Sequence, residues 1–150
     1  MDTEAKAREI LATNRYMVLG TADADGVPWV SPVWFASEDG ETFAWVSKPG
    51  TRHSRNIAAR PDVAIVVFDS SVDSADAAAL YLTAVATELD GAERDAAIAL
   101  YSRVSEAQGL GRFTTADVGG GGRWRLYRAT ATERSVLGPG DERLPVGGAG

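Results

Sequence analysis

Three basic side chains, Arg52, His53 and Arg55, fall within one turn of a short helix-competent segment in SKPGTRHSRNIAARPDVAIVVFDS, residues 47–70. Two guanidinium groups and an imidazole this close together suit an anion, because phosphate oxygens accept several charge-assisted hydrogen bonds at once. Ser47 and Thr51 add hydroxyl donors nearby. Thr51 also suits the N-cap of a helix over residues 52–60, which Pro61 ends. The free N–H groups and positive dipole end of such a helix favour an anion by about 0.3–1 kcal/mol even when exposed. Arg55, three residues beyond Arg52, shares its helical face. The same arginines would also serve as solvated groups, or as partners of Asp62 or Asp69, on a surface helix, and the local pattern leaves both uses open.

Other chemistries find less support. The chain has no cysteine, which removes disulfides, thiolate metal sites and cysteine nucleophiles. The TADADG run at residues 21–26, carrying Asp23 and Asp25, lacks the distal glutamate of a calcium loop and suits a hairpin turn. Gly119 to Gly122 is not followed by the lysine and Ser/Thr of a phosphate loop. Trp29, Trp34, Trp45 and Trp124, like Tyr16, Tyr81, Tyr101 and Tyr127, read first as packing residues. No metal site is expected.

The elements that must position the basic turn follow from periodicity. Asp2 or Thr3 caps a first helix to about Ala12. Tyr16 to Ala22 and Val27 to Ala36 read as strands joined by a turn, and Pro28 and Pro32 require the second to lie at an edge or to carry bulges. Thr42 to Ser47 is the third strand. Val63 to Phe68 is apolar throughout and is expected to be covered on both faces. Ala77 to Leu89 and Arg123 to Leu137 alternate as long strands, with a helix from Gly91 to Ala107 and a mobile glycine-rich loop from Gly109 to Gly122 between them. Short connections favour antiparallel pairing, so the expectation is a mainly β fold, a six-stranded antiparallel Greek-key barrel with flanking helices. It occupies residues 1–137, with a poorly ordered tail over residues 138–150.

Composition frames these readings. A chain of 150 residues with 45% hydrophobic and 24% charged residues suits one domain with a real core. A formal net charge of -6 argues against nucleic acid or an anionic membrane as the main partner, since either needs a broad basic face. The acidic, helical start MDTEAKAREI is unlike a signal peptide, and a cytoplasmic protein is expected.

Over about residues 10–137 the series VSPVWF, WVS, TRHSRNIAARPDVAIVVFD, ALYLTAVATEL and RWRLYRATA resembles the pyridoxamine 5′-phosphate oxidase-like family of FMN-binding split barrels. The resemblance implies a split antiparallel barrel and a homodimer that binds two flavins, usually FMN, in clefts between subunits. It places Ser31, Pro32, Val33 and Trp34 along the flavin ring, Val46 and Ser47 at the ring or ribityl chain, and Arg52 with His53 at the phosphate. Trp124 is a further cofactor contact, over the partner's flavin. The second basic residue of the family pattern is often lysine, so His53 is a departure that makes the phosphate grip pH dependent. The implied activity is an FMN-dependent oxidoreductase acting on a small organic substrate. True pyridoxine-phosphate oxidase activity is not expected, because members with it carry further C-terminal arginines where this chain has VLGPGDERLPVGGAG. Two alternatives stay open: a deazaflavin-dependent reductase of the same fold, and a non-catalytic flavin or heme protein with His53 as an axial ligand.

Overall fold

A computed structural model of the chain describes residues 1–147. Helix α1 (Thr3–Thr13) begins at Asp2, whose carboxylate accepts the Ala5 N–H at 3.0 Å, and it buries Ala7 and Ile10. Strands β1 (Tyr16–Ala22) and β2 (Pro28–Trp34) form a hairpin. Asp23 holds its turn by accepting the N–H groups of Asp25 and Val27 at 2.9 Å, and Gly26 adopts the positive φ of 84°. Then come β3 (Thr42–Ser47), α2 (Arg52–Ala59), β4 (Asp62–Phe68), β5 (Ala79–Glu88), α3 (Gly91–Ala107) and β6 (Arg125–Leu137). The strands pair antiparallel in the order β2-β1-β4-β5-β6-β3.

The expected mainly β barrel with flanking helices is therefore the observed architecture. β2 and β3 are the two ends of the main strand order, and one isolated bridge joins the chain after β2 to β3, where Ala36 and Ala44 exchange N–H···O bonds of 2.9 Å. The sheet thus curls round and stays split between β2 and β3. Pro28 and Pro32 lie on that edge, where a missing N–H is tolerated. Alternate residues fill the barrel: Met17, Leu19, Phe43, Trp45, Val67, Leu80 and Val136 are all fully buried. A second apolar cluster forms where Ile98 and Tyr101 of α3 cover Ala44 and Leu126 on the other side of β3 and β6.

Two expectations change. There is a seventh strand, β7 (Arg143–Pro145), within the segment expected to be a loose tail; it pairs with β6 and brings Val146 into the core. Residues 148–150 of that segment lie outside the described residues. β4 is covered on one face only: Val63, Ile65 and Val67 are buried, whereas Ala64 and Phe68 are exposed and Val66 is half-buried. Apolarity on both sides of a strand does not require that one chain cover both. The glycine-rich stretch has no regular element, yet it is tied to α3, since Ser105 Oγ donates to the Gly111 carbonyl at 2.6 Å and Val118 is buried.

Candidate functional site

The site is built where β3 hands the chain to α2. Phe43, Trp45 and Ser47 point into the barrel, and Lys48, Pro49 and Gly50 then carry the chain to Thr51. Thr51 caps α2, its hydroxyl accepting the Ser54 N–H at 3.2 Å, and the Arg55 N–H bonds the Thr51 carbonyl at 3.0 Å. The remaining early N–H groups, those of Arg52 and His53, have no protein acceptor among the described residues.

His53 lies inward, 7% exposed, with Nε2 2.9 Å from Ser47 Oγ. Burial lowers its pKa below the ordinary 6.5, because removing water disfavours the charged ring. Arg52 points outward, and its Cζ lies 4.4 Å from the centre of the Trp29 ring on β2. Arg55 turns back along the loop and donates to the Gly50 carbonyl at 2.6 Å. Among the described residues neither arginine forms an ion pair; Asp69 instead accepts from Ser71. The surface-pairing alternative with Asp62 or Asp69 is therefore not what the structure holds.

Strand alternation divides the other residues singled out above. Ser31 and Val33 face the barrel side of β2, where their cross-strand partners are the buried Leu19 and Met17. Pro32 and Trp34 face the opposite side, with Trp34 edge-on to Tyr16 at 5.2 Å and its Nε1 buried without an acceptor. Val46 likewise faces α3 and packs in the second cluster. Trp124 sits in the same cluster, edge-on to Phe113, with Lys48 Nζ 5.6 Å from its ring centre. The structure therefore pairs Ser47 with His53, lays the neighbouring Arg52 of α2 on Trp29, and sets Trp124 beside Lys48. Ser31, Pro32, Val33 and Trp34 present side chains to two faces, so a flat ligand touches all four only along the backbone edge of β2. Trp29, Lys48 and Asn56 were missed in the sequence. Trp29 alternates with Ser31 and Val33, which was the available sign that it shares their face.

Two hollows lie near these elements. A cleft of about 500 Å³ beside α2 is lined by Ser54, Arg55, Ile57, Ala86, Glu88 and Tyr127. A groove of about 910 Å³ runs over the outer face of the sheet past Val18, Val30, Val66, Tyr81 and Thr83. Neither is lined by Arg52 or His53; the Arg52 side chain is exposed to solvent while His53 is buried. No three metal-ligating side chains come together among the described residues, and no described helix is long and apolar enough to cross a membrane.

The model of the family described as pyridoxamine 5′-phosphate oxidase matches residues 3–125, and the chain belongs to that family. No curated protein matches the chain significantly. Among solved structures it is similar to HutZ, the heme storage protein from Vibrio cholerae, at 20% identity and TM-score 0.68, covering 91% of this chain and 94% of that one. A heme binding protein from Mycobacterium smegmatis is similar at 23% identity and TM-score 0.70, over 92% of this chain and 55% of that one. An F420 reductase is similar at 22% identity and TM-score 0.63, over 85% of this chain and 94% of that one. At such identities these likenesses speak for the fold alone.

Proposed function

We propose that this chain is an FMN-dependent oxidoreductase that holds the flavin phosphate at the start of α2 and acts on a small organic substrate. One observation carries the reading: at that point the Arg52 guanidinium has no carboxylate partner among the described residues, and the Arg52 and His53 amides have no protein acceptor. These groups form a donor set that fits a phosphate, and the Ser47–His53 pair adds one more donor when Nε2–H bonds Ser47 Oγ and leaves the hydroxyl proton free. FMN, when bound, supplies the hydride chemistry. The protein's part is to hold the phosphate by Arg52, His53 and Ser47 and to flank the ring with the β2 edge from Ser31 to Trp34 and with Val46.

A homodimer belongs to the same reading. The outer face of β1, β2, β4 and β5 exposes Val30 at 65%, Phe68 at 45% and Val85 at 44%, an apolar surface that a second copy would cover. Such a copy would also cover the exposed side of the basic turn, and Trp124 would then reach the other subunit's flavin. A deazaflavin coenzyme offers the same phosphate on a longer acidic chain and is the competing cofactor. Heme fits this turn poorly, because His53 Nε2 is engaged by Ser47 and its ring is buried.

The test is the spectrum and mass of the ligand that copurifies, or that binds on adding FMN, followed by anaerobic mixing with reduced nicotinamide. A flavin spectrum that bleaches is the expected result. Protein that binds no FMN, or that shows a Soret band, refutes the assignment. Flavin that binds but is reduced by no donor reduces the reading to a flavin carrier.

A further inference from the structure

The stripe Arg52, Asn56 and Arg60 recurs every four residues and so lies along one side of α2 and its C-cap. Each member meets the β1–β2 hairpin. Asn56 Nδ2 donates to Thr21 Oγ1 at 3.0 Å, and Thr21 Oγ1 reaches the Trp29 carbonyl at 3.4 Å; Asn56 and Thr21 are both 5% exposed. Arg60 donates through Nε and Nη2 to the Asp23 and Ala24 carbonyls, each at 3.1 Å. Arg52, at the other end of the stripe, rests on the indole of Trp29, which is itself 41% exposed. The buried links thus fix the backbone of Trp29 relative to the helical turn that carries Arg52.

We infer that Trp29 is a positioning residue for the phosphate site, a seat that holds the Arg52 guanidinium ready for the anion. The inference rests on the reading of that turn as the flavin phosphate site. A guanidinium on an aromatic face uses its π surface, and all its N–H donors stay in the plane, free for phosphate oxygens. An arginine tethered in this way also loses less side-chain freedom when the anion arrives, so the gain appears as affinity. Among the described residues no carboxylate pairs with Arg52, and that matters: a paired acid would hold Arg52 equally well but would repel the ligand.

The experiment is fluorescence titration of FMN, with riboflavin as the probe lacking the phosphate, against the wild type, Trp29→Leu, Trp29→Phe, Arg52→Ala and the double variant Trp29→Leu/Arg52→Ala. Removing the aromatic face is expected to weaken FMN roughly three- to tenfold. Riboflavin affinity is expected to stay constant, and Trp29→Phe to recover most of the loss. In the Arg52→Ala background Trp29→Leu is expected to cost nothing further, because the seat has nothing to hold. Should Trp29→Leu fold poorly, Trp29→Met, which also removes the aromatic face, reads the same coupling in the presence and absence of Arg52. Wild-type FMN affinity in Trp29→Leu, or an equal loss with and without Arg52, overturns the seat while leaving the phosphate site standing. Unchanged FMN affinity in Arg52→Ala overturns the phosphate site itself, and the seat with it.

Discussion

Flavin binding is expected to weaken as pH rises through neutrality, and His53 is the reason. In the free protein His53 is 7% exposed, its ring is bonded to the Ser47 hydroxyl at 2.9 Å, and burial holds its pKa below 6.5, so above that pH it is neutral. A phosphate dianion at Ser47 reverses the balance, since an opposite charge within hydrogen-bonding reach commonly favours the charged form by about tenfold to a thousandfold. The complex then holds one more proton than its separated parts. Lower pH therefore favours the complex, with Kd rising by at most about tenfold per pH unit between the free and bound pKa values of the ring. Arg52 is exposed and water reaches this end of α2, which argues for the low end, about tenfold in all.

The phosphate's own second ionisation, near pH 6, acts in the opposite direction and is over by about pH 7. The informative quantity is consequently the wild-type profile less that of His53→Gln, from below pH 6.5 to about pH 7.5, because the phosphate ionisation is common to both. Calorimetric titration of FMN across that window, in two buffers of different ionisation enthalpy, measures both Kd and the proton taken up. His53→Gln should remove the His53 share of the dependence and leave that of the phosphate, and His53→Lys should do so at the tighter level, because a lysine beside the phosphate stays charged. The same pH profile in the wild type and in His53→Gln refutes the reasoning. Without flavin the linkage concerns folding: the unfolded chain binds this proton more readily, so stability is held above pH 6.5 and is lost as pH falls below it.

Arg52→Ala is expected to weaken FMN by about ten- to a hundredfold, the equivalent of about 1.5–3 kcal/mol for charged hydrogen bonds, whereas Arg55→Ala should cost less because that guanidinium is held by the Gly50 carbonyl. Equal losses in the two titrations would contradict the assignment of roles. The Arg134 side chain is 9% exposed and spans Glu4, Glu41 and the Gly40 carbonyl, so Arg134→Ala should lower stability by about 2 kcal/mol in urea unfolding; a loss under about 0.5 kcal/mol would reduce the network to an ordinary surface pair. Burial pushes Tyr101 up to about 12, so its contribution to stability is intact below the unfolded value of 10 and declines as pH rises from 10 toward 12. In an alkaline absorbance titration Tyr101→Phe should remove a step near 12, and removal of a step near 10 instead would show the hydroxyl to be solvated.

Much of the fold is legible locally. Alternation along Leu80, Leu82, Ala84 and Ala86 marks both β5 and its buried side, and all four are buried. Pro28 and Pro32 mark β2 as an edge because a proline lacks the N–H of a ladder, and β2 is an edge. The basic turn could be recognised because capping by Thr51 and termination before Pro61 are short-range effects. β7 could not, since Arg-Leu-Pro has no strand signature of its own and forms one by pairing with the end of β6. The same limit applied to β4, whose uniform apolarity does not say which side its own chain will cover.

The sequence by itself determined which donors exist and in what order: Ser47, Thr51, Arg52, His53 and Arg55 on a strand, a cap and a single helical turn. Only the tertiary structure decided their states. It buried His53 against Ser47, turned Arg55 to a carbonyl and laid Arg52 on Trp29, because each outcome depends on which distant strand packs beside the helix. Charge and spacing are local properties of a chain, whereas desolvation and partner geometry are set by the packing of segments far apart along it.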